Sequence, residues 1–162
     1  MPSVFDVADY FIAKNDPREG DRMTNLRLQK LVYYAQGFCL ALLNRPLFNE
    51  PIEAWRHGPV CEALYHKYKS FGSEPLDTIY KTKREAAQAL KSALKPFAKD
   101  EIEVLDEVFE VYGQYTASRL RQLSHDTPPW QQAFPDGVIS KASMKEFFAT
   151  QIKTSDGTSA AA

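Results

Sequence analysis

Residues Asn25 to Leu43 constrain this chain more than any other stretch. Leu28, Leu31, Val32, Ala35, Phe38, Cys39 and Leu42 recur at i, i+3 and i+4, the spacing of one helical face. Leu26, Tyr34, Ala41 and Leu43 carry apolar surface onto the flanks. A helix apolar on nearly all sides has to be covered by neighbours. The spacing therefore predicts a central helix, capped by Thr24 and stopped by Asn44-Arg45-Pro46.

The rest of the chain supplies the cover. Ser3 with Asp6 forms a capping pair ahead of Val4, Val7, Ala8, Phe11 and Ile12. Between Pro46 and His57 the apolar residues alternate, which predicts an extended segment or short strand. Gly58-Pro59 is expected to turn the chain into a helix from about Val60 to Phe71, with Pro59 in its first turn and Gly72 ending it. Arg84 to Leu94 is rich in Ala and Lys and favours helix. Asp100 with Glu103 predicts a cap for a helix burying Ile102, Leu105, Val108 and Phe109. Thr116 starts a short helix through Ser124, residues 126–130 are expected to be irregular, and Ser143 with Glu146 caps a last helix. The fold class expected is mainly α: a compact single-domain helical bundle over residues 1–153, with at most a small β-hairpin. Residues 154–162 have little to pack and are expected to form a disordered tail.

Composition narrows the function. Twenty basic against 21 acidic residues leave a net charge of −1, so bulk charge gives no support to a nucleic-acid role. No apolar run approaches a membrane span, and the N-terminus lacks the pattern of a signal peptide. Cys39 and Cys61 form no CxxC pair, which suits free thiols in a reducing cytoplasm.

The densest chemical cluster is Trp55-Arg56-His57-Gly58-Pro59-Val60-Cys61, followed by Tyr65 and His66. A Cys61–His57 nucleophile pair can be drawn, with Cys61 in a first helical turn where its thiol would be activated. No oxyanion-stabilising loop or orienting third group accompanies it, so no catalytic residues are assigned. His57, Cys61, His66 and His125 match no zinc spacing, so neither a metal nor a cofactor is expected. Glu101, Glu103, Asp106, Glu107 and Glu110 form an acidic helix face, either solvated or a dock for a basic partner. Arg27 and Lys30, with Lys81, Lys83, Arg84, Arg119 and Arg121, are basic groups able to meet phosphate, without a recognition helix beside them. Large rings placed off the core stripe or in loops suit a protein-binding surface. On that ground Tyr33, Trp55, Tyr65 and Trp130, with His57 and His125, are the candidate partner-binding residues, and Gly58 and Pro59 the structural ones.

The ordered set Leu28-Gln29-Lys30-Leu31-Val32-Tyr33-Tyr34-Ala35-Gln36-Gly37, Pro46-Leu47-Phe48, Ile52 through Val60, and Tyr65 resembles the Panacea-domain family, which includes SocA-like and GepA-like bacterial and phage proteins. Leu123-Ser124-His125 followed by Pro129-Trp130 is similar to a later motif of the same family. The resemblance implies a mostly helical fold and the antitoxin of a type II toxin–antitoxin system, neutralising a cognate protein toxin by direct binding. An alternative role it implies is an adaptor delivering the toxin to an AAA+ protease. Many members carry a helix-turn-helix for which this chain has no room. Residues 77–99 depart from the family pattern and are a candidate for partner specificity. The small-residue ending Ser159-Ala160-Ala161-Ala162 is similar to degradation tags read by such proteases, and exposed aromatic edges leave a homodimer open.

Overall fold

The structure is a computed structural model and describes residues 1–152. The central helix, α2 (Asn25–Leu43), begins where Thr24 Oγ1 accepts from the Arg27 amide at 3.3 Å. It ends at Asn44, which takes the left-handed conformation (φ 57°) that asparagine tolerates at such a position. Before it, α1 (Val4–Lys14) is capped as its sequence predicts: Ser3 Oγ accepts from the Asp6 amide and Asp6 accepts from the Ser3 amide. After it come β1 (Glu53–Trp55), β2 (Gly58–Val60), α3 (Glu62–Tyr68), α4 (Lys83–Leu94), α5 (Lys99–Tyr112), α6 (Ala117–His125), α7 (Pro128–Ala133) and α8 (Lys141–Ala149).

The α1, α3, α5, α6 and α8 helices and the hairpin all pack on α2. Leu28, Leu31, Val32 and Ala35 are fully buried, each of the larger ones contributing about 1.5–3 kcal/mol by leaving water. The tightest docking is that of α8. A Cβ at Gly37 would lie 2.1 Å from the Phe148 ring, so glycine opens the notch in α2 that the ring fills. Phe148 then meets Tyr33, Tyr34 and Phe38 edge-on at 5.4, 5.7 and 4.9 Å.

β1 and β2 pair antiparallel, Glu53 opposite Val60 and Trp55 opposite Gly58. The 136–139 segment lies along the other edge of β1, exchanging hydrogen bonds between Ala54 and both Asp136 and Gly137, and from Ile139 to Ile52. This covers the free edge of a two-stranded ribbon that would otherwise be marginal.

Several expectations are corrected. Gly58-Pro59-Val60 is a strand and not a helix start, because its residues pair with β1; the helix begins only at Glu62, and a 3-10 turn extends it over Lys69–Phe71. Phe71 is exposed. On α5 the cap is Glu101, whose carboxylate accepts from the Ala98 amide at 2.8 Å, two residues ahead of the expected Asp100–Glu103 pair. Residues 128–133 form α7, started by Pro128 at its first position, where a missing N–H costs nothing. Ser140 caps α8 in place of Ser143. Leu42, at the end of the α2 stripe, is 48% exposed. The expected tail, residues 154–162, lies outside the described residues.

Candidate functional site

The hairpin is held down by polar side chains on one flank of α2. Gln29 Oε1 accepts from the Cys61 amide at 2.9 Å, and its Nε2 reaches the Cys61 carbonyl at 3.4 Å. One side-chain amide thereby satisfies both backbone groups of Cys61, as an adjacent strand would. The Lys30 Nζ donates to the Pro59 carbonyl at 3.0 Å. Tyr33 hydroxyl meets Thr127 Oγ1 at 2.8 Å, which in turn donates to the Ser124 carbonyl at 2.6 Å. Gln36 accepts from the Leu47 amide at 2.7 Å and donates to the Phe48 carbonyl at 2.8 Å. Positions 29, 30, 33 and 36 sew the incoming loop, the hairpin and the start of α7 to the central helix.

Gly58 is where this clamp closes. Its φ of +111° strains any residue with a side chain, and a Cβ there would lie 2.7 Å from Lys30 Cε and 2.9 Å from Ser124 Oγ. The turn and the close approach both demand glycine.

Five of the six candidate partner-binding residues surround the hairpin. Trp55 donates to Glu53 at 2.8 Å and meets Tyr65 edge-on at 5.1 Å. Trp130 donates its indole N–H to the Trp55 carbonyl at 2.9 Å, and the His125 ring stacks on it at 4.3 Å. His57 and Arg56 stand exposed at the tip, and Phe134 lies 4.7 Å from Trp130 with much of its ring in solvent. Tyr33, the sixth, is fully buried beneath them, so no partner touches it without opening the core.

Arg27 and Lys30 are buried too, which removes both from any phosphate-binding surface. Arg27 donates to Asn15 Oδ1, to the Asp21 and Tyr115 carbonyls and to the Gly113 carbonyl, tying α1, α2 and the end of α5 together. Burial, aided by Arg121, pushes the Lys30 amine down to about 7. Partial desolvation beside the exposed tip, with the charges of Arg121, Arg56 and Lys30, lowers His57, and burial with Arg121 lowers His125. Desolvation first, and neighbouring positive charge second, disfavour the charged forms of Lys30, His57 and His125 in this corner.

The Cys61 thiol is buried, and burial pushes it up, outweighing the Leu64 and Ala63 amides that pull it down. A thiol so placed is the reverse of an activated nucleophile. Cys39 is pushed up to about 12. Among the described residues no group of three or more His, Cys, Asp and Glu side chains comes together to hold a metal ion, and no helix is long and apolar enough to cross a membrane.

Sequence reading missed Gln29, Lys30, Gln36 and Thr127 as working parts. The available signal was a glutamine, a lysine and a second glutamine interrupting an otherwise apolar helix, where solvent is the ordinary expectation for such side chains.

The motif residues of this helical domain thus brace a ring-bordered hairpin against the central helix. The family described as "Antitoxin SocA-like, Panacea domain" matches residues 28–131, and the chain belongs to it. Every element of the clamp from Leu28 to Trp130 falls inside that span. The chain is 34% identical over 111 residues to the "Antitoxin SocA" of Caulobacter vibrioides (strain NA1000 / CB15N). That match covers 67% of this chain and 58% of the relative, so it spans little more than half of the relative's length. No solved structure matches.

Proposed function

We propose that this chain acts in the cytoplasm as an antitoxin that neutralises a cognate protein toxin by binding it directly, with no chemical step. The observation that carries the reading is the hairpin face. Arg56 and His57 project at its tip, and Trp55, Tyr65, His125, Trp130 and Phe134 border it. Its backbone is fixed from below by Gln29 and Lys30. Aromatic and arginine side chains held rigidly lose little entropy on docking, which is why such groups dominate protein interfaces. Membership of an antitoxin family supplies the kind of partner.

Co-expression with the product of the neighbouring gene tests this. Relief of toxicity with co-purification of the two proteins is the expected result. Arg56→Glu combined with Tyr65→Ala is expected to weaken the complex at least about tenfold while leaving the melting temperature unchanged. Cys61→Ser is expected to protect as well as the parent. Relief without a stable complex, lost in a host lacking its AAA+ protease, would replace neutralisation by delivery. A Cys61→Ser protein that folds but fails to protect would overturn the non-catalytic reading.

A further inference from the structure

A second surface lies some way along the central helix from the clamp. Lys30 and Leu42 are twelve positions apart on α2, or about 18 Å at 1.5 Å per residue. Around Leu42 the α2 and α5 helices and the chain just past α8 enclose a groove of about 530 Å3. Phe38, Val104, Val108 and Ile152 line it, and Leu42 and Val111 stand on its walls at 48% and 38% exposure. Apolar side chains of this size left open in one place mark an interaction surface more often than a scattered exposed leucine does.

The charge beside the groove says what fits it. Glu103, Glu107 and Glu110 are exposed, and none forms an ion pair or side-chain hydrogen bond among the described residues. The other acids of the same helix are engaged: Asp100 and Glu101 with Arg45, and Asp106 with Tyr10 and Lys14. The three free glutamates recur at i, i+4 and i+7, one position ahead of Val104 and Val108 and one short of Val111. Acidic and apolar stripes therefore run side by side along α5, with Glu107 at the lip of the groove. Carboxylates at i and i+4 repel one another and weaken an isolated helix, and a cation laid over them reverses that effect.

We propose that this groove seats an amphipathic helix of a partner protein, its leucine-like side chains in the cleft and its lysines or arginines over Glu103, Glu107 and Glu110. The inference goes beyond the antitoxin reading and stands without it, because it concerns a different face. Two other occupants fit worse. Residues 153–162 carry no apolar side chain larger than alanine, too small to fill the space. A two-fold pairing of this chain through the groove would set the glutamates of one copy against those of the other.

The probe is a fluorescent peptide of about five helical turns, made of leucine and lysine at amphipathic spacing. Its controls are a scrambled peptide of the same composition and a leucine–glutamate version. Saturable anisotropy is expected for the leucine–lysine helix alone. Leu42→Asp alters an exposed side chain, so the fold should survive, with binding at least about tenfold weaker. Replacing Glu103, Glu107 and Glu110 with Lys is expected to transfer the preference to the leucine–glutamate peptide. Tyr65→Ala, beside the hairpin, should bind the peptide as the parent does. Equal binding of the scrambled peptide, or full binding by Leu42→Asp with its melting temperature intact, would overturn the proposal. So would a concentration-dependent dimer in light scattering that Leu42→Asp abolishes, since the groove would then belong to a second copy.

Discussion

Gly58 and Lys30 show how closely single residues are specified at the clamp. Gly58→Ala forces a side chain into a left-handed backbone and against Lys30 Cε, and is expected to cost about 1–3 kcal/mol. A thermal melt checks this; an unchanged midpoint would mean that the hairpin turn relaxes freely. Lys30 couples the same corner to pH. Burial, with Arg121 beside it, pushes its amine down to about 7 in the folded protein from an ordinary 10.5 in the unfolded chain. Between those values the unfolded chain holds a proton that the folded chain lacks. Its contribution to stability therefore rises with pH across that window, by up to about 1.4 kcal/mol per pH unit, and is flat below it. Urea melts of the parent at pH 7 and pH 9 are expected to show the gain, and Lys30→Met is expected to show a smaller one. Parallel slopes for the two proteins would place the Lys30 amine at its ordinary value.

Among the elements, α2 and α4 stand at opposite ends of burial. The α2 helix buries most of its residues, whereas α4 buries none fully and rests on α1. It is held at one end by the Thr82 cap, and the preceding segment by Arg22 on Asp77. Local opening of α4 should therefore precede global unfolding. Hydrogen exchange is expected to show amides 86–94 turning over far faster than those of α2, and Ala89→Pro is expected to leave the rest of the molecule protected. Loss of protection in α2 in that variant would show that α4 braces the core. The contrast between these helices also explains what the sequence disclosed. The α2 span was legible to the residue because its periodicity, Thr24 cap and Asn44-Arg45-Pro46 stop agree. The hairpin was not, since Gly58-Pro59 carries a helix-start signal that pairing with Ala54 and Trp55 overrides. At α5 two carboxylates three apart, Asp100 and Glu103, offered a cap, while the Glu101 actually used has only Ala98 opposite it.

At the scale of the molecule, the motif residues serve the architecture first. Gln29, Lys30, Tyr33 and Gln36 brace loops from below, and the family resemblance located them without revealing that task. Surface candidates gathered where the motif pointed because Trp55, Tyr65, His125 and Trp130 are the rim of what those residues brace. The groove at the far end of α2 had no such signpost, since Phe38 and Leu42, which line it, belong to a stripe that sequence periodicity assigns wholly to the core. The notch at Gly37 is filled late in synthesis. The ring that fills it belongs to Phe148, about a hundred residues further along the chain, which a ribosome adding 5–20 residues per second reaches roughly 5–20 s later. Throughout that interval the nascent chain carries the longest of its described helices with one apolar side open, surface of the kind that makes an unfinished chain prone to aggregate.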